Sequence, residues 1–332
     1  MHRRTLGPLS AALLLPSPAT QAAGGQAAAG EAAAGEAAGG GVLRIGWLRA
    51  PNDITTGRAR GTLERALAAR GTRVEWAGPF AAAAPALEAL NAGSIDITAG
   101  SSTACITALA ARIPMVIFAY QKIAAGAEGI LVKQDAPIRS LADLAGRSVA
   151  VNRGGTGEYL LMRALSRNGI DPALVRRAYL SPSDSAAAFA QGHVDAWATW
   201  DPFVVIGTQR YGARVLADGA AIGSDNAVTL MASRDLAENR RPLLQAVFET
   251  CLADNRWARE NKHEAGRIWA EAMGLDAGLA SAIGENNAVP TRGVTDSDIV
   301  QIAQIADWYV SSRIVPWRPD IAAGVVKLTG SP

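Results

Sequence analysis

The chain has 332 residues, 49% of them hydrophobic, and 32 Lys and Arg against 30 Asp and Glu, a formal charge of +2. That length exceeds one ordinary hydrophobic core, and the balanced charge, with 5% aromatic residues, lacks the basic stripe and stacking platform of a nucleic-acid binder. His2, His193 and His263 are scattered, and Cys105 and Cys251 fit no metal spacing. We therefore expect no metal, no cofactor and no nucleic acid, and read the two cysteines either as buried thiols or as a disulfide.

At the amino end, His2, Arg3 and Arg4 precede an apolar run from Leu6 to Leu15 and the small-residue segment Thr20-Gln21-Ala22. This pattern predicts a secretory signal over residues 1–22. Its apolar run is too short to span a bilayer, and no cysteine stands near the cleavage region to carry a lipid, so a soluble protein exported to the periplasm is expected. Residues 23–41, almost all Ala, Gly, Gln and Glu, bury next to nothing and read as a low-complexity leader.

From Val42 onward, strands and amphipathic helices alternate, the pattern of a parallel sheet covered on both faces. Strands are predicted at Val42 to Leu48, Arg73 to Ala77, Ile95 to Ala99 and Met115 to Ala119. Helices are predicted at Thr56 to Ala69, Pro85 to Ala92 and Ser102 to Arg112. Gly129 to Val132 reads as a short crossover strand and Ser140 as the cap of a short helix ending at Gly146. A second βα series follows: a strand at Val149 to Val151, a helix at Glu158 to Asn168, a strand at Arg177 to Leu180, an Ala-rich helix capped at Ser181-Pro182-Ser183-Asp184 and closed by Gly192, and a strand at Val194 to Ala198. Val228 to Ala232 returns to the first series, and helices are expected at Pro242 to Glu260, Glu264 to Ala272, Asp276 to Ile283 and Asp296 to Ser311. The fold expected is α/β with two lobes, 42–132 plus 226–332 and 133–225, joined by two crossovers that form a hinge. Closure of the cleft is its natural motion.

Two turns carry chemistry. Gly100-Ser101-Ser102-Thr103 lies between a strand and a helix, and Arg153-Gly154-Gly155-Thr156-Gly157 holds the equivalent place in the second lobe. Backbone N–H groups and hydroxyls at helix N-termini suit an anion, and two opposed N-termini would clamp one tetrahedral anion. The glycine loop lacks the Gly-Lys-Ser/Thr ending of a phosphate-binding loop and the third-glycine spacing of a dinucleotide fingerprint, which excludes nucleotides. Trp197, alternating with Ala196 and Ala198, reads as core. Trp200 and Asp201, at a strand exit, read either as ligand contacts or as a core aromatic and a helix cap.

Several segments in order carry a resemblance: Arg44-Ile45-Gly46, Glu88 through Asp96, Ile130-Leu131-Val132, Ser140 through Gly146, and Asp195-Ala196-Trp197-Ala198-Thr199-Trp200-Asp201-Pro202. Over residues 42–325 the chain resembles the periplasmic substrate-binding components of ABC importers for aliphatic sulfonates and taurine. The resemblance implies a type II binding-protein fold, no catalysis, a small organosulfur anion as ligand, and an ABC permease with its ATPase as partners. A monomer suits such a carrier. The ligand-binding residues expected are Trp47, Arg49, Ser101, Ser102, Thr103, Gly154, Gly155, Thr156, Trp200 and Asp201, with Asp201 either meeting the amine of a taurine-like ligand or capping a helix. Trp47-Leu48-Arg49 stands where many relatives carry Tyr-Gln-Lys, which leaves the organic tail open, a sulfate ester or another small anion included. The alternatives in other classes are a thiamine-pyrimidine-type enzyme on the same fold, whose histidine-rich and cysteine-rich motifs this chain lacks, and a periplasmic sensor presenting its ligand to a receptor.

Overall fold

The computed structural model describes residues 41–329; the signal read at 1–22 and all of the leader but Gly41 lie outside the described residues. The chain begins with β1 (Gly41–Leu48), α1 (Asp53–Arg60), α2 (Thr62–Ala68), β2 (Thr72–Phe80), α3 (Ala83–Asn91), β3 (Ile97–Ser101), α4 (Ser102–Ala110) and β4 (Met115–Lys122). It continues through β5 (Glu128–Lys133), β6 (Ser148–Val151), α5 (Thr156–Arg167), β7 (Arg176–Tyr179), α6 (Pro182–Ala190), β8 (Ala196–Trp200), α7 (Phe203–Arg210), β9 (Ala213–Asp218) and α8 (Gly219–Ile222). It ends with β10 (Ala227–Ser233), α9 (Arg234–Asn239), α10 (Arg241–Glu260), α11 (Lys262–Ala272), α12 (Ala280–Asn287), β11 (Thr291–Arg292) and α13 (Asp296–Ser311).

Two sheets organise these elements, a 6-stranded one in the order β11-β4-β10-β3-β1-β2 and a 5-stranded one in the order β7-β6-β8-β5-β9. The parallel sheet expected from the alternation is found for β1, β2 and β3, and again for β6, β7 and β8. Both sheets are nevertheless mixed, because β10 and β5 enter antiparallel to their neighbours. Each follows a crossover, and a strand arriving from the other sheet is not joined to its neighbours by a βαβ unit, the connection that makes neighbouring strands parallel. The segment Ile130-Leu131-Val132, read from sequence at the end of the first lobe, pairs with β8 and β9 and so belongs to the second sheet.

The helix expected over Thr56 to Ala69 is two helices. Gly61, at φ 64°, takes the left-handed conformation that ends α1, and Asn52 caps that helix by accepting from the Thr55 N–H. Both cysteines are free and fully buried in separate packing clusters, which decides the open choice in favour of thiols. Among the described residues no helix is long and apolar enough to cross a membrane.

The carboxyl-terminal helices matter because they brace the second sheet's α7. Val205 and Ile206 of α7 pack with Ala258, Ala265, Ile268 and Trp269, and the Trp269 indole N–H donates to Thr56 Oγ1 at 2.9 Å. Within this brace α11 and α12 touch backbone to backbone: a Cβ on Gly266 would lie 1.9 Å from the Ala280 carbonyl oxygen, and one on Gly284 2.0 Å from that of Lys262. Gly266→Val is expected to push the two helices apart and lower stability by about 2–3 kcal/mol. Urea unfolding measures this, and an unchanged midpoint contradicts the close packing.

Candidate functional site

A cavity of about 350 Å³ is lined by residues of both sheets' turns. Its wall takes the turns after β1 (Arg49 to Asn52), β2 (Ala81 to Pro85) and β3 (Gly100, Ser101), and those after β6 (Asn152 to Thr156), β7 (Leu180 to Pro182) and β8 (Trp200, Asp201, Phe203). Each turn opens a helix, namely α1, α3, α4, α5, α6 and α7. Parallel strands place their carboxyl ends on one edge, so three helix N-termini from each sheet converge on one space. Their partial positive charges sum there.

Of the residues expected at the site, Arg49, Ser101, Gly154, Gly155, Thr156, Trp200 and Asp201 line this cavity. Ser101 caps α4, its Oγ accepting from the Ala104 N–H at 3.2 Å and lying 2.7 Å from Thr103 Oγ1. Trp200 meets Phe203 edge-on, with ring centroids 5.9 Å apart. Trp47, Ser102 and Thr103 do not appear in the wall. Trp47 shares the core face of β1 with Leu43 and Ile45 and lies under the Arg58 guanidinium, 4.2 Å away. Ser102 and Thr103 are wholly buried in the first turn of α4. Trp197 is core, as read, between Phe189 and Phe203.

The glycine loop is partly engaged by its own chain. The Gly154 N–H donates to Glu158 Oε2 at 2.7 Å and the Gly157 N–H to Asn152 Oδ1 at 2.7 Å. Those bonds hold the loop's shape, and Thr156 at its end lies in the cavity wall. Arg49 and Arg153 stand on the two sides of the cleft, and the Arg153 guanidinium lies over the Tyr179 ring at 3.7 Å.

Among the described residues Asp201 is the one carboxylate in the lining, and it is spoken for. Its Oδ2 accepts from Asn286 at 2.8 Å and from Asn287 at 3.0 Å, and its Oδ1 accepts from the Val205 N–H at 3.3 Å. Only 2% of the residue is exposed, and burial pushes its pKa up to about 6 against the opposing effect of those bonds. Of the two sequence readings of Asp201, this geometry is that of a helix-capping and bracing group. Between the polar turns the wall carries small apolar side chains such as Ala50, Ala83 and Ala104.

Sequence reasoning passed over Asn52, Asn152 and Asn287, all of which line the cavity. Asn152 sits beside the Arg153-Gly154 motif and was findable as the residue that would tie a glycine loop. Asn287 reaches the wall from α12, and no local pattern marks it.

The family described as NMT1/THI5 like matches residues 68–265. A protein of Escherichia coli (strain K12) described as aliphatic sulfonates-binding is 32% identical over 280 residues, 84% of this chain and 86% of its own length. The solved alkanesulfonate-binding protein of Xanthomonas axonopodis pv. citri, bound to MOPS, superposes with a TM-score of 0.79 at 29% identity, covering 86% of this chain and 98% of its own. A 2'-hydroxybiphenyl-2-sulfinate desulfinase of Rhodococcus erythropolis is 27% identical over 46% of this chain and 56% of its own. The two-lobed architecture, with a cleft between mixed sheets, is that of a periplasmic binding protein. The chain belongs to the NMT1/THI5-like family and, by its likeness over most of its length, to the aliphatic sulfonate-binding proteins.

Proposed function

We propose that this protein is the periplasmic solute-binding component of an ABC importer and carries an organosulfonate in the cleft between its two sheets. The observation that carries the reading is the convergence of six helix N-termini on a cavity whose one carboxylate among the described residues, Asp201, is already bonded to Asn286 and Asn287. A sulfonate is a permanent anion with acceptor oxygens and no proton to give, so donors without a nearby free carboxylate match it. The head group sits between the Ser101 turn of α4 and the Thr156 turn of α5, with Arg49 and Arg153 adding charge from either side. The tail runs along Ala83, Trp200 and Phe203.

Closure follows because one ligand touches both lobes and stabilises the closed form by its difference in affinity for the two states. Residues 1–22 direct export, and the closed monomer delivers its ligand to a permease driven by an ATPase. The site binds its ligand without converting it.

Titration calorimetry with methanesulfonate, propane-1-sulfonate, an aryl sulfonate, a sulfate ester, taurine and sulfate tests the reading, with the recovered ligand checked for turnover. Tight binding confined to organosulfonates is expected. Taurine is expected to bind at least tenfold more weakly than propane-1-sulfonate, because its ammonium finds no available carboxylate in the wall. Silence across the panel from folded, ligand-free protein removes the sulfonate, and a released product removes the binding-only reading.

A further inference from the structure

Asn226 is 1% exposed and stands at the end of the second crossover, immediately before β10. Its side-chain amide makes bonds to three separate elements. Oδ1 accepts from the Ser102 hydroxyl at 2.9 Å, and Nδ2 donates to Thr156 Oγ1 at 3.0 Å and to Glu128 Oε2 at 3.2 Å. Ser102 opens α4, Thr156 opens α5, and Glu128 opens β5 just past the first crossover. One amide thus joins the first turns of two opposed anion-facing helices, one from each lobe, and links both hinge segments.

The two hydroxyls differ in what remains to them. Ser102 Oγ spends its proton on Asn226 and accepts from the Ala227 N–H at 3.2 Å, so it is engaged on both sides. Thr156 Oγ1 receives a proton from Asn226, so its own proton must be directed elsewhere, and Thr156 lines the cavity. A hydroxyl whose oxygen is occupied by a donor is polarised and oriented to donate.

We propose that Asn226 is the positioning residue of the site: its amide sets the first turns of α4 and α5 relative to one another and turns the Thr156 hydroxyl proton toward the bound anion. This rests on the reading of the cavity as an anion seat. Asn226 does not touch the ligand; it acts through Thr156, and the distance between the two helix N-termini is fixed by one planar amide group. Replacement by a carboxylate of the same shape reverses the polarity, since an ionised Asp accepts the Thr156 proton instead of supplying one and also faces Glu128.

The experiment is propane-1-sulfonate calorimetry on the full protein with N226A, T156V, the N226A/T156V double variant and N226D. Each single substitution is expected to weaken binding at least tenfold, and the double variant is expected to be no more than about threefold worse than the poorer single one, because both remove the same oriented proton. N226D is expected to bind poorly at pH 7.5 and to recover toward wild type at pH 5, where a protonated carboxyl again donates to Thr156. Affinity within twofold of wild type in N226A, or multiplicative losses in the double variant, overturns the proposal.

A second measurement needs no ligand. Thermal midpoints of S102A, T156V and the pair are expected to fall by less together than the sum of the two single losses, since the same amide links both, and to become additive in the N226A background. Additivity with Asn226 present overturns the proposal. If wild type ignores propane-1-sulfonate, the anion reading fails, and this ligand-free cycle still decides the role of Asn226.

Discussion

Ser101→Asp is expected to weaken sulfonate binding at least a hundredfold while leaving the fold intact. Ser101 is the N-cap of α4, with φ −92° and ψ 156° and its side chain accepting from the Ala104 N–H. Asp serves that position as well as Ser and adds a favourable charge at the positive end of the helix, so folding loses nothing measurable. The same carboxylate, however, stands in the wall of the cavity where the proposed head group sits. Two unit charges about 4 Å apart repel by about 4 kcal/mol at an effective dielectric constant near 20, and each 1.4 kcal/mol or so is tenfold in affinity. Ser101→Asn separates charge from shape: it also caps and is of similar size, and is expected to cost less than about tenfold. Calorimetry on both variants, with thermal midpoints as the control, decides the matter. Equal losses for Asn and Asp mean that size rather than charge matters, and an Asp variant that binds like wild type moves the anion away from α4.

The order of elements was legible because local chemistry and global packing agree along most of this chain. α13 runs over the residues expected, Asp296–Ser311, and Thr295 and Asp298 form a reciprocal cap at its start. Ser181 likewise caps α6 and accepts from the Asp184 N–H. Gly61 was harder to read, because a single glycine inside an amphipathic run is compatible with a continuous helix and only its left-handed backbone breaks it. The direction of β5 and β10 was not readable at all, because a strand of apolar residues looks the same parallel or antiparallel.

The site divides along the same line. Two of its six turns, those after β3 and β6, were found because Gly, Ser and Thr punctuate the strand end just where a helix begins, whereas Ala81 to Pro85 after β2 carries no such mark. Trp47 misled by its size, yet its register with Leu43 and Ile45 on β1 already assigned it to the core face. Asn226 and Asn287 escaped because their partners are distant. Asn226 meets residues 124 and 70 positions away, and Asn287 meets Asp201 across 86. Amide side chains carry no periodicity of their own, so their roles exist only once the two sheets are assembled.

Stability is expected to fall as pH rises from about 5 to 7.5, with a drop of roughly 5–10 °C in the thermal midpoint. Three buried carboxyls drive this. Burial pushes Glu128 from 4.5 up to about 7, opposed by hydrogen bonds from Ser224 and Asn226 and assisted by the nearby charge of Asp225. Burial likewise pushes Asp53 from 3.8 up to about 6, opposed by Thr291 and Asn255, with Asp254 raising it further. Asp201 moves in the same sense to about 6. For each group the folded state holds its proton more tightly than the unfolded chain, so its stabilising contribution is complete below the unfolded value near 4 and is lost as pH rises through 6 to 7. A tenfold difference in proton affinity between the folded and unfolded states corresponds to about 1.4 kcal/mol. Three such groups together therefore amount to several kcal/mol, and about 2–4 °C per kcal/mol converts that to the drop in midpoint given. Asp195 and Asp298, whose values are lowered mainly by bonds from Ser148, Arg292 and Thr295 against the cost of burial, act with the opposite sign and only at more acidic pH. The maximum should therefore lie near pH 5 rather than at neutrality. Glu128→Gln keeps an acceptor for Asn226 without a charge to bury, and it is expected to raise the midpoint at pH 7.5 and flatten the decline. A wild-type midpoint that is flat or rises between pH 5 and 7.5 would refute the linkage.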